Sequence, residues 1–193
     1  MSPIPRALTA ALALCALLTG CQSAPTRLYS PYAVPPAAAG KSGGGAYPGP
    51  PVRVDAVHFP PSLDRIEIVR EIAPGEMAVN DLEHWSAPLA QSAREVLSAD
   101  LLLRLPPGKA LFPHLTKPPG ALGVSVDVLE FTGEGGQFIL EASWAPTTTG
   151  SAPDRGVGTA TLRTRASGGN GAATTQALSD LLGQLADRIV ATL

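Results

Sequence analysis

The sequence predicts an α+β fold: an antiparallel β-sheet with two amphipathic helices packed on one of its faces. Two stretches, residues 87–105 and 173–193, each carry apolar side chains along a single helical stripe. Before and between them, short segments alternate apolar with polar residues and are bounded by Gly, Pro and Asn clusters, the pattern of half-buried strands joined by turns. Hairpin-linked strands with one-sided helices favour an antiparallel sheet covered on one face over a doubly wound parallel one.

The chain opens with a leader. Arg6 precedes an apolar run over residues 7–18, which has signal-peptide length and falls short of the roughly 20 residues that span a bilayer. The run ends in Leu18-Thr19-Gly20-Cys21. This ending resembles a bacterial lipobox, which implies cleavage before Cys21 and a diacylglycerol on its sulfur. Acyl chains at one cysteine hold a protein firmly on a membrane, because each buried methylene contributes about 0.8 kcal/mol. By resemblance to sorted bacterial lipoproteins, Gln22 rather than Asp after that cysteine implies the outer membrane, on its periplasmic face. Residues 1–20 are therefore read as signal peptide, 21–51 as lipidated cysteine and tether, and 52–193 as one domain.

Loss of Arg6 with the leader takes the formal net charge from −2 to −3, a balance that argues against nucleic acid or a polybasic membrane patch. Of the two cysteines, Cys15 leaves with the leader and Cys21 is blocked by lipid, so stability comes from packing without a disulfide. The tether is rich in Pro and Gly and poor in large apolar groups. As a flexible coil its thirty or so residues would average roughly 30 Å and reach near 100 Å drawn out. Residues 28–34, with two tyrosines, are the exception: they can dock as a short edge strand.

In the domain, Val52, Val54 and Ala56 alternate with Arg53 and Asp55 as a strand stopped by Pro60-Pro61. Residues 66–72 form a second strand, with Ile66 and Ile68 on one face, and residues 73–76 a turn before a short third strand at 77–80. Ser86 is placed to cap the first helix, with Pro88 tolerated in its first turn and Leu89, Ala93, Val96, Leu97 and Leu101 on its stripe. Pro106-Pro107-Gly108 ends it, and residues 110–115 offer one more short segment. Leu122, Val124, Val126 and Val128 are answered by Phe138, Leu140, Ala142 and Trp144, a hairpin. Pointing both apolar faces inward while keeping Asp127 away from Glu141 sets Asp127 opposite Ser143, with a five-residue loop. In that register Leu129, Phe131 and Ile139 gather on the opposite face as a candidate partner interface, where Leu129→Asp or Phe131→Asp would disturb assembly more than stability. A strand at 158–165 follows, then the turn 167–171 and the final helix, striped with Leu178, Leu181, Leu182, Leu185, Ile189 and Leu193.

The chain carries no G-x-S-x-G, P-loop, G-x-G-x-x-G or H-E-x-x-H run. His58, His84 and His114 lack partners at metal spacing. Asp127, Glu130, Glu134 and Glu141 fall on the wet face or turn of the hairpin, where solvated carboxylates are the default, and 168–171 reads as a plain turn before a helix. No cofactor, metal or catalytic residue is expected. Trp85 and Trp144 read as core anchors.

The run Pro60-x-x-Leu63-Asp64-Arg65-x-x-Ile68-Val69, then His84-Trp85-Ser86-Ala87-Pro88-Leu89, Val126 to Phe131, and Leu140 to Trp144 stand in order and spacing that resemble the ABC-type transport auxiliary lipoproteins, the PqiC-like family. The likeness covers about residues 28–193. Arg65, Trp85, Pro88, Leu89 and Trp144 carry the signature, whereas His84, Ser86 and Ala87 depart from an R-W-A-x-P-L-like pattern in which the residue after Ala is commonly acidic. The resemblance implies a non-catalytic outer-membrane lipoprotein serving an MCE-type ABC system that moves lipids or other hydrophobic molecules between membranes. It also implies docking to the MCE component and a possible ring of copies. A structural lipoprotein of another outer-membrane assembly, for lipopolysaccharide or outer-membrane protein insertion, is the alternative.

Overall fold

The computed structural model describes residues 24–36, 47–73, 75–147 and 156–193. The signal peptide, Cys21, Gln22, Pro74 of the 73–76 turn and the middle of the tether lie outside the described residues. Among the described residues, eight strands and two helices follow in the order β1 (Arg27–Tyr29), β2 (Val52–His58), β3 (Glu67–Ala73), β4 (Glu76–Trp85), α1 (Leu89–Leu102), β5 (Ala110–Leu111), β6 (Leu122–Glu134), β7 (Gln137–Pro146), β8 (Gly158–Arg165) and α2 (Gly171–Thr192). The α+β class holds, and most paired residues are antiparallel. The strands, however, divide into two sheets, ordered β1-β4-β3 and β5-β2-β6-β7-β8. A strand has two edges, and β5 and β6 take both edges of β2 in parallel pairings. The β3–β4 hairpin is thereby left to build its own sheet with β1, which runs parallel to β4.

Both helices lie on the five-stranded sheet, α1 over β2 and β5 and α2 over β7 and β8, side by side. The core between them holds Val52, Val54, Val124, Val126, Leu140, Ala142, Leu97, Leu101, Leu178, Leu181, Leu182, Leu185 and Ile189, each sealed from solvent. The α2 stripe is the one the sequence spells out. Asn170 starts this helix, its side chain accepting the Ala173 N–H at 3.0 Å. Trp144 is buried on β7 and donates its indole N–H to Thr192 Oγ1 at 3.1 Å near the end of α2. Its ring covers Gly158 so closely that a Cβ there would come within 2.3 Å of it.

Three expectations are corrected. Helix α1 begins at Leu89 rather than 87, and Ser86 does not cap it: Ser86 lies in a bend just after β4, donating its N–H to Tyr29 O at 2.8 Å, while Pro88 occupies the cap position without a side-chain bond. The carboxylate of Asp64 instead reaches across and accepts the Ala90 N–H at 3.2 Å. In β2 a bulge at Asp55 turns Val57 into the core in place of Ala56. In β3 an irregularity between Glu67 and Val69 buries Ile68 and Val69 together and leaves Ile66 exposed.

The β6–β7 hairpin is half as expected. At its base Val126 faces Trp144 and Asp127 faces Ser143. The tip closes through two residues, Gly135 and Gly136, both with positive φ of 57° and 80°, in place of the five-residue loop. A two-residue turn is incompatible with the base register, and a bulge at Leu129 absorbs the difference, so that Glu130 faces Glu141 and Phe131 faces Leu140. The apolar corner accordingly does not form. Phe131 is buried and stacks on Phe138 with ring centroids 6.2 Å apart, Leu129 sits exposed in the bulge, and Ile139 pairs with Thr132 and Arg163.

This register separates two residues that the sequence groups together. Phe131→Ala should cost about 3–5 kcal/mol of unfolding free energy in urea denaturation, and Leu129→Ala less than about 0.5 kcal/mol. Comparable losses from the two would contradict the bulge.

Candidate functional site: an N-terminal strap held between the helices

The chain between Arg27 and Val34 is threaded onto the domain. β1 extends the three-stranded sheet with Arg27 opposite Glu83, Leu28 opposite His84 and Tyr29 opposite Trp85. Tyr29 turns inward and its hydroxyl donates to Glu83 Oε1 at 3.3 Å; Glu83 is buried and lies 3.8 Å from Arg70 Nη2. The Tyr29 ring passes over the start of α2 at Gly171, where a Cβ would stand 2.6 Å from it.

Beyond β1 the strap follows the groove between the helices. Tyr32 donates its N–H to Ser179 Oγ of α2 at 3.0 Å. Two residues on, the backbone of Val34 is gripped from both sides: its N–H is donated to Asp100 Oδ1 at 2.8 Å, and its carbonyl accepts from Arg104 Nη1 at 3.0 Å. Arg104 also donates to Asp187 of α2 as a fork, Nε to Oδ1 at 2.7 Å and Nη2 to Oδ2 at 3.4 Å, and lies 3.4 Å from Asp100. Asp100 and Arg104 are buried. The convergence depends on a missing side chain, because a Cβ at Gly183 would sit 3.3 Å from Val34 Cβ and 3.4 Å from Arg104 Nη2.

Burial pushes the Asp100 carboxyl up to about 6, against the lowering effects of the Val34 N–H and the Arg104 guanidinium and with some help from Asp187. Its second oxygen, Oδ2, is buried without a hydrogen-bond partner, consistent with that shift. A different polar cluster surrounds the bulge at Asp55. Burial disfavours its charge, but hydrogen bonds from Thr147, Lys117 and Arg53 outweigh this and hold the carboxyl below its ordinary value. Arg94 reaches the carbonyl of the same residue at 3.3 Å, tying α1 to β2. Both clusters brace elements, and neither places a nucleophile beside a base.

The expected site residues are distributed through this frame. Trp85 and Leu89 are buried, Pro88 is exposed at the α1 start, and Trp144 anchors β7 to α2. Arg65 makes an exposed ion pair with Glu67 at 3.2 Å. Asp127 faces Ser143 and His58 across neighbouring strands, and His114 stacks on Phe112 at 5.7 Å. Among the described residues no group of three His, Cys, Asp or Glu side chains could hold a metal ion, and no helix is long and apolar enough to cross a membrane. Sequence reasoning missed Asp100, Arg104, Ser179 and Gly183. Their signal was present: Asp100 and Arg104 continue the Ala93–Leu97 stripe at helical spacing, so two opposite charges stand on a face that is otherwise apolar.

A family model described as ABC-type transport auxiliary lipoprotein component matches residues 32–190. Among solved structures, one titled only as an uncharacterized protein superposes with a TM-score of 0.68 at 17% identity, covering 86% of this chain and 97% of that one. Protein XCC0632 from Xanthomonas campestris superposes with a TM-score of 0.60 at 16% identity, covering 85% and 92%. At these identities the two structures support the fold alone. Comparison with curated proteins gives no match.

The raised Asp100 value has a sign that can be measured. The fold favours the protonated acid, so this residue's contribution is full below its ordinary value near 3.8 and is lost as pH rises through about 6. Relative to Asp100→Asn, the native chain should lose on the order of 2–3 kcal/mol of unfolding free energy between pH 4 and pH 7.5 in chemical denaturation. Parallel pH profiles for the two proteins would contradict the buried clamp.

Proposed function

We infer the function from a premise now in hand: the chain belongs to the family of ABC-type transport auxiliary lipoprotein components. In the reading we favour, Cys21 carries diacylglycerol and holds the domain at the periplasmic face of the outer membrane. There the domain serves, without chemistry of its own, an MCE-type ABC system that carries lipids or other hydrophobic molecules between the two membranes. Its role is to dock the periplasmic MCE component, as a single copy or as a ring of copies.

The observation that carries this reading is the coincidence of the family match with the Leu18-Thr19-Gly20-Cys21 ending of the leader. One further feature supports it: the polar cluster of Asp100, Arg104 and Asp187 and the one around Asp55 tie the strap, both helices and β2 together, which suits a component that holds others in place.

Mass spectrometry of the mature protein should find an amino terminus at Cys21 with a diacylglycerol adduct, and Cys21→Ser should move the protein from the membrane to the soluble fraction. Detergent extraction of the native protein should co-purify an MCE-domain protein with permease or ATPase subunits. Recovery of lipopolysaccharide or outer-membrane protein insertion machinery instead would transfer the chain to that assembly. An unmodified cysteine would remove the anchor.

A further inference from the structure

The strap changes how far the domain can stand from its anchor. A free tether over residues 21–51 would allow near 100 Å, but the chain is already part of a sheet at Arg27 and is fastened again at Tyr32 and Val34. From Cys21 to Arg27 there are six residue steps, which reach about 22 Å at full extension. Residues 37–46 and their neighbours then belong to the connection between β1 and β2, and add nothing to the distance from the anchor.

The surface at that end of the molecule exposes several large apolar side chains among charged ones. Leu28 of β1 is 66% exposed and lies opposite His84; Leu82, two residues earlier on β4, is 40% exposed. Met77 and Val79 on β4 and Ile66 at the entry to β3 are exposed as well. Among the described residues, five of the eleven exposed large apolar side chains thus fall on or beside the small sheet, although it supplies only three of the eight strands. Both helices pack on the other sheet. The charges along β1, β3 and β4 are of both signs, so this face carries no basic stripe that would draw it to anionic headgroups.

We propose that the exposed face of the three-stranded sheet, along the edge where Leu28 of β1 and Leu82 of β4 lie, rests on the bilayer that holds the Cys21 anchor, so that the domain lies on the membrane rather than above it. The proposal builds on lipidation of Cys21. A spacer this short keeps the start of β1 within about 22 Å of the lipid, so that its effective concentration at the bilayer is high enough for shallow apolar contacts to be occupied. The opposite end is turned toward the periplasm: Arg53 at the start of β2 donates to Leu115 O, beyond the far end of α1, whose fourteen residues span about 21 Å. That end, with Phe112 and Leu115 exposed, is the one left open to soluble partners.

The test uses the mature lipidated chain in phosphatidylcholine vesicles that contain doxyl-labelled lipid. Lipid blocks Cys21 and the leader removes Cys15, so Leu28→Cys, Leu82→Cys or Leu115→Cys each supplies one thiol for a bimane label, and mass spectrometry verifies the diacylglycerol on each preparation. Labels at 28 and 82 should be quenched at least threefold more strongly than the label at 115, little changed by 0.5 M salt. Inserting twenty Gly/Ser residues between Ala24 and Pro25 should weaken that quenching. Equal, weak quenching at all three positions on a lipidated chain overturns the proposal and leaves the anchor standing. Labels at 28 and 82 shielded from both lipid quencher and aqueous iodide would make the face a contact between proteins, which also overturns it. A chain without diacylglycerol removes the anchor and the proposal together.

Discussion

A buried carboxylate that needs a backbone amide is the constraint on which this architecture turns. Asp100 lies on the face of α1 that meets α2, sealed from water, with Arg104 one turn further on. An ion pair in such a place is expensive to desolvate and is tolerated only when its remaining hydrogen-bonding positions are filled. Val34 fills one position on each partner, the N–H for Asp100 and the carbonyl for Arg104, while Asp187 and the Asp100 carbonyl take the rest of the guanidinium; Asp100 Oδ2 alone stays without a partner, in keeping with its raised pKa. The strap and the charge pair are therefore mutually dependent. Lifting the strap would leave Asp100 with Arg104 alone and take one acceptor from the guanidinium, in a groove shaped for a chain.

Much of the fold is legible in the sequence because one-sided burial imposes its period on the residues. The α2 stripe from Leu178 to Ile189, the pairing of Val126 with Trp144 and the edge strand around Leu28 all follow from apolar spacing and turn chemistry. What stays hidden is what breaks periodicity. A bulge at Asp55 exchanges Ala56 for Val57, and a bulge at Leu129 returns Phe131 to the core, because one inserted residue reverses every side chain beyond it. Capping across the chain was equally invisible: Asp64 does the work that Ser86 is suited to do, since the Ser86 backbone is tied to Tyr29 ahead of the helix. The division into two sheets depends on which strands occupy the edges of β2, and no local pattern encodes that.

The site was legible only at its ends. The lipobox-like leader is readable as a chemical signal, and the family signature residues Trp85, Leu89 and Trp144 prove to be core anchors. The middle, where proline and glycine suggest a loose tether, is where the account changes. Pro and Gly forbid helix and sheet interior but do not forbid an extended chain whose amides are met by Ser179 and Asp100 from outside. A segment that looks like a spacer is thereby made part of the folded unit, and a long reach becomes a short one. On the reading proposed above, this bears directly on where the auxiliary lipoprotein holds its surface.

Amide hydrogen exchange at Tyr32 and Val34 in the native protein tests the strap most directly. If the amides are donated to Ser179 and Asp100, both should exchange as slowly as those in the middle of α2, under the same global unfolding. Exchange at the rate of an unstructured chain, with α2 still protected, would show that the segment is a tether after all.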